Sequence, residues 1–119
     1  MNEFLDFDEK FSDLAEYYAI DSPEEIKNQI RINENIFQFL QDVRSYLEES
    51  FVDAEFSLGM NFEPEIDYRF IILFINVSQE KFNNGIGDEI RSFNLKIKSL
   101  RKELGIFRDV LVFPEIKYV

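Results

Sequence analysis

The sequence predicts an α+β protein with elements in the order α-α-β-β-α-β and a three-stranded, mainly antiparallel sheet packed against helices. Three observations carry that expectation. Apolar residues recur at spacings of three and four over residues 7–47 and again over 86–104. Residues 51–62 alternate apolar with polar, and residues 68–77 are apolar on both faces of an extended chain. The 119 residues are 45% hydrophobic and include 14 Phe, enough to build a core without a disulfide or a metal. Residues 1–119 are therefore read as a single domain.

The first element is a helix over Asp8–Ile20, because Phe7, Phe11, Leu14 and Tyr18 share one helical face. Asp6, Asp8 and Glu9 near its start suit the helix dipole. So short an amphipathic helix holds only by docking, so residues 1–21 are expected to be mobile, packing on the body or lent to a partner. Ser22-Pro23-Glu24-Glu25 reads as a capping box with Pro in the first turn. Ile26 and Ile30 follow on one face. The pattern then slips around Arg31–Asn35, where Asn33 could cap a new helix carrying Ile36, Leu40, Val43 and Leu47. One kinked helix and two helices both fit residues 23–50.

Phe51–Phe62 reads as a half-buried strand, with Asp53, Glu55, Ser57, Gly59 and Asn61 on its wet face. Pro64 then forces a turn. Tyr68–Val77 carries Phe70, Ile72 and Phe74 on one face and Ile71, Leu73, Ile75 and Val77 on the other, so it is central or covered on both sides. Ser78 caps a helical start that Gly85-Ile86-Gly87 interrupts. A helix follows over Asp88–Leu104, with Gly105 as its left-handed cap. The last strand, Phe107–Tyr118, contains Pro114 and so belongs at an edge or a bulge. Helices on one side only would leave an apolar face of Tyr68–Val77 open, to be covered either by the N-terminal helix or by a second copy, so a homodimer through the sheet or the first helix is one of two expected arrangements.

Composition restricts the chemistry. There is no His and no Cys, which removes imidazole bases, thiol nucleophiles and the usual zinc ligands. The acids number 24 and the bases 13, a net charge of -11. They are unevenly placed: residues 1–68 hold 18 acids and 4 bases, and residues 69–119 hold 6 acids and 9 bases. The longest apolar run, Phe70–Ile75, is far short of the roughly 20 residues of a membrane span. Without Cys or a secretory leader pattern, a reducing, cytoplasmic setting is expected.

Gly85-Ile86-Gly87 does not make a nucleotide loop. Ile90 stands where the third Gly would be, and Asp88 and Glu89 would repel a phosphate. Asn76-Val77-Ser78 matches a glycosylation sequon but falls at the end of a buried strand. The basic helix residues Arg91, Lys98, Arg101 and Lys102 are the nucleic-acid candidates. The αββαβ order from Ile36 onward resembles one arrangement of the KH RNA-binding module, but the Gly-x-x-Gly clamp is missing and the net charge opposes phosphate. Residues 51–77 also resemble a loose class of short bacterial proteins, a likeness that brings no activity with it.

The carboxylates remain. Asp53 and Glu55 share one side of a strand, and Glu63, Glu65 and Asp67 gather in the next turn. Their spacing matches no calcium loop. The expected function is a small acidic protein-binding module of regulatory type, antitoxin-like or immunity-like, with no catalysis, cofactor or metal of its own. Its expected partner is another protein, a basic one by charge, and neither nucleic acid nor membrane. Asp53, Glu55, Glu63, Glu65 and Asp67 are the candidate binding residues. A carboxylate-dependent divalent-metal enzyme and an acidic nucleic-acid mimic are the alternatives.

Overall fold

The computed structural model describes the backbone of residues 3–117 and the side chains of residues 7–117. In chain order the elements are α1 (Glu3–Tyr17), β1 (Ala19–Ile20), α2 (Pro23–Ile32), α3 (Asn35–Asp42), α4 (Arg44–Ser50), β2 (Glu55–Glu63), β3 (Tyr68–Val77), α5 (Gln79–Asn83), α6 (Ile86–Lys96), α7 (Lys98–Leu104) and β4 (Val110–Ile116). Tyr118, the expected end of the last strand, and Asp6, whose side chain was placed near the first helix dipole, lie outside what is described. No helix among the described residues is long and apolar enough to cross a membrane.

The sheet corrects the expected three-stranded, mainly antiparallel one. It has four strands in the order β1-β2-β3-β4. β2 and β3 are antiparallel, whereas β1 runs parallel to β2 and β4 parallel to β3. Two physical reasons account for the difference. β1 has two residues, too few to show a period, and is held by pairing with β2 and by Asp21 N–H donating to Leu58 O at 2.9 Å. β4 follows a helical return over one face, which brings the chain back to the end where β3 began, so the two strands run the same way.

Several helix boundaries shift for local reasons. α1 starts at Glu3 and stops at Tyr17, because Ala19 and Ile20 are taken into the sheet. The capping box at Ser22 does not form. Ser22 sits at φ 55°, ψ 57°, with no side-chain bond to the helix. An N-cap needs extended geometry, and Ser22 instead makes the turn out of β1. The real break in residues 23–50 is at Asn33, whose Oδ1 accepts Asn35 N–H at 3.1 Å. Across Val43 the helical bonds continue, from Val43 N–H to Phe39 O and from Leu47 N–H to Val43 O, both 2.9 Å. Ile97 links α6 to α7 in the same way. Ser78, Gly85 and Gly105 act as read from sequence: Ser78 Oγ accepts Lys81 N–H at 3.2 Å, and the glycines take φ 109° and 70°.

All the helices contribute to one core on one face of the sheet. Phe56 and Leu58 of β2, Ile71, Leu73, Ile75 and Val77 of β3, and Val110 and Val112 of β4 meet Leu14, Ile26, Ile36, Phe39, Leu40, Leu47, Phe93 and Ile97. Among the described residues no polar or charged residue is buried there. The buried Tyr18 Oη donates to Leu40 O at 2.6 Å. The crossovers β1-to-β2 and β3-to-β4 step the same way along the sheet from strands that point oppositely. Lying on one face, they have opposite hands, so one of them departs from the right-handed rule.

Arg101 closes the last turn. Its Nη1 lies 3.1, 3.0 and 2.8 Å from the carbonyls of Ile106, Phe107 and Val110, and its guanidinium lies 4.9 Å from the Phe39 ring centroid. It ties α7, the Gly105 turn, the start of β4 and the core together. Arg101→Lys keeps the charge but loses the planar fork and the stacking, and is expected to cost about 2 kcal/mol. Urea unfolding of the two proteins checks this; a difference within about 0.5 kcal/mol would refute the pinning role.

Candidate functional site

Strand parity sorts the side chains. Odd residues of β3 face the helices. Its even residues, Tyr68, Phe70, Ile72, Phe74 and Asn76, face the other way, beside Glu55, Ser57, Gly59, Asn61 and Glu63 of β2 and Leu111, Phe113 and Glu115 of β4. None of these belongs to the helix-covered core. The sheet thus has an open face whose centre is apolar and uncharged.

The open face is ordered by its own contacts. Tyr68 and Phe70 stack with ring centroids 5.9 Å apart. Phe70 is only 6% exposed although no helix covers it. The Phe74 ring lies across Gly59, where a Cβ would sit 3.2 Å from Phe74 Cε2, so the missing side chain makes room for the ring. Asn76 Nδ2 donates to Ser57 Oγ at 3.0 Å. Toward the β4 edge the face opens to solvent: Phe113 is 45% exposed, and Phe107, just before β4, is 54% exposed.

The five acids singled out from the sequence do not form one cluster. Asp53 is exposed in the turn before β2. Glu55 opens β2 on the open face and pairs with Lys117 Nζ at 2.7 Å. Glu63 closes β2 on the same face, opposite Tyr68, and Glu65 and Asp67 lie in the hairpin turn, Asp67 at φ 49°. Eight strand steps separate Glu55 from Glu63, about 26 Å. The structure thus divides the set, with Asp53 and Glu55 at one end of the hairpin and Glu63, Glu65 and Asp67 at the other. A single metal ion cannot use both ends. Among the described residues no three acidic side chains come together as metal ligands.

A polar seam that the sequence reading missed joins α1 to α4. Arg44 pairs with Asp13 at 3.1 Å and lies 4.8 Å from the Tyr17 ring centroid. Burial, followed by the nearby Glu48 carboxylate, pushes the Tyr17 phenol up to about 12. Burial raises Tyr18 further. Tyr17 borders a hollow of about 450 Å³ with Glu48, Phe51 and Phe56. A phenol that holds its proton this firmly is a poor acid or base near neutrality. The only signal in the sequence was a Tyr-Tyr pair at the end of a helix, with no indication that Arg44 would meet it.

No protein-family model, curated protein or solved structure matches the chain.

The two tyrosines determine an alkaline limit. Their folded-state pKa values lie above that of an unfolded phenol, about 10. Their contribution to stability is complete below pH 10 and is lost as pH rises through the Tyr17 value of about 12. Urea unfolding followed from pH 8 to 12 is expected to show stability falling from pH 10 upward, with a shallower fall in Tyr18→Phe. An unchanged slope in that variant would rule the buried phenol out as the cause.

Proposed function

We propose that the protein is a protein-binding module of regulatory type, antitoxin-like or immunity-like, that works through the open face of its sheet. The observation that supports this is the row of apolar side chains outside the helix-covered core: Ile72, Phe74, Leu111 and Phe113. An apolar face of this kind on a folded chain marks an interaction surface.

Charge selects the occupant. The apolar centre is flanked by Glu55 and Glu115 at one end and by Glu63, with Glu65 and Asp67 beyond it, at the other. The whole chain carries -11. A partner with an apolar centre and basic flanks satisfies both parts, the centre supplying affinity and the ends supplying rate and orientation. Three strands about 4.8 Å apart and about 26 Å long give a flat area on the order of 400 Å². A standard interface needs about 800 Å² per partner. The acidic rim is therefore part of the contact, which gives Glu55, Glu63, Glu65 and Asp67 a role despite their separation.

Ile72→Lys places a cation at the centre of the face without touching the core. The tagged protein and this variant are compared in lysate of the native host. The expected result is a basic protein bound one-to-one to the wild type, weakened by salt raised from about 0.15 to about 0.5 M and lost from Ile72→Lys, with thermal unfolding unchanged. Retention by the variant, or a wild-type dimer in light scattering that Ile72→Lys dissociates, refutes a heterologous basic partner on this face.

A further inference from the structure

We infer that the groove between β4 and the α6–α7 helices is a second binding site, which takes an extended acidic segment of another protein as an added strand. The inference goes beyond the open-face reading: the two surfaces share Leu111 and Phe113, but this one rests on the β4 backbone and the cations of the helix wall.

The first is the backbone of β4. It is an outer strand, and two bonds fix which of its groups face inward: Ile71 N–H donates to Asp109 O at 2.8 Å, and Lys117 N–H donates to Val77 O at 2.6 Å. With the register Ile71↔Val110 through Val77↔Ile116, odd residues of β4 bond to β3. The even residues, Val110, Val112, Pro114 and Ile116, turn their backbone groups outward. Arg101 already occupies the carbonyl of Val110 at 2.8 Å. Pro114 has no N–H to offer. Between them, the N–H and C=O of Val112 have no partner among the described residues. The edge is thus blunted at Val110 and at Pro114, which discourages long edge-to-edge pairing, and between them Val112 can make both bonds of a strand pair.

The second is the wall opposite. Asn94, Lys98 and Arg101, spaced as one helical stripe, line a groove of about 410 Å³ with Phe107, Leu111, Val112 and Phe113. Two cations and no acid line it, on a chain of net charge -11. Grooves between an edge strand and a helix are a recurring place for peptides that extend a sheet.

These two sets of groups define the ligand. A strand added at Val112 continues the pleat of β4. Alternate side chains would lie on the helix side, toward Lys98 and Arg101, and the others beside Leu111 and Phe113 on the open face. The fitting segment therefore alternates acids with large apolar residues.

The probe is the blocked peptide Glu-Phe-Glu-Leu-Glu-Phe-Glu-Leu, titrated into the full chain and followed by amide NMR. Controls are the same composition with its acids in one block, and the version with Lys for Glu. The alternating peptide is expected to bind, to slow exchange of the Val112 amide, and to lose at least about tenfold in affinity with Lys98→Glu. Four outcomes would each overturn the inference. These are no binding of the alternating peptide, equal binding of the blocked-acid peptide, an unprotected Val112 amide, and indifference to Lys98→Glu in a variant that unfolds like the wild type. A free chain that is a dimer by light scattering with its Val112 amide already protected would do the same.

Discussion

The two long neighbours in the sheet, β2 and β4, both take their positions from β3. In Tyr68–Val77 each residue's parity sets two things at once. Odd residues bond to β4 and face the helices; even residues bond to β2 and face the open side. A slip of one residue would exchange both assignments. Yet β3 is apolar on both faces over most of its length, so its own side chains do little to resist that slip. The constraint comes from β2, where Glu55, Ser57, Gly59 and Asn61 alternate with Phe56, Leu58 and Met60. In the wrong register Glu55 would enter the core. Gly59 and Ser57 add local fit, one by admitting the Phe74 ring and the other by accepting a bond from Asn76. The clean strand thus specifies the pairing, and the apolar strand supplies the burial.

The one-sided helical layer follows from how α1 is held. Phe11 and Leu14 of α1, and Tyr18 just after it, are buried in the core, each contributing on the order of 1.5–3 kcal/mol. The remaining contacts use all four bases of residues 1–68. Lys10 lies 5.7 Å from the Phe37 ring centroid, Lys27 5.0 Å from Phe11, Arg31 4.6 Å from Phe7 and Arg44 4.8 Å from Tyr17. Such contacts give about 0.5–1 kcal/mol each at exposed sites, so apolar burial remains the larger part and the cations fix where the helix sits.

Much of this was legible in the sequence because it is local. The bounds of β3, the Ser78 cap, the left-handed Gly105 and the edge position of Pro114 depend on a residue and its near neighbours. What the sequence hid is long-range. Ala19 pairs with Ser57, 38 residues away, and two residues cannot show a period. Ser22 has the composition of a cap, but Asp21 is committed to β2, so Ser22 must turn instead. The parallel direction of β4 was implicit in the helical crossover. The scattering of the acids was also implicit. Asp53, Glu55, Glu63, Glu65 and Asp67 lie close in sequence, but an extended chain advances about 3.3 Å per residue, so a strand between them separates the ends. Arg44 and Arg101 gave no signal, since a base on an amphipathic helix looks the same whether it is solvated or holds carbonyls or rings.

The placement of the bases changes what the net charge means. Residues 1–68 hold 18 acids and only 4 bases, and each of those bases lies over an aromatic ring, where it keeps its charge. The acidity of that half is therefore set by composition, and the fold places its few cations against rings as well as acids. The 9 bases of residues 69–119 include Lys98 and Arg101, which line a groove beside aromatic side chains with no acid in its wall. The groove proposed for an acidic segment thus has a lining of opposite sign to the chain as a whole.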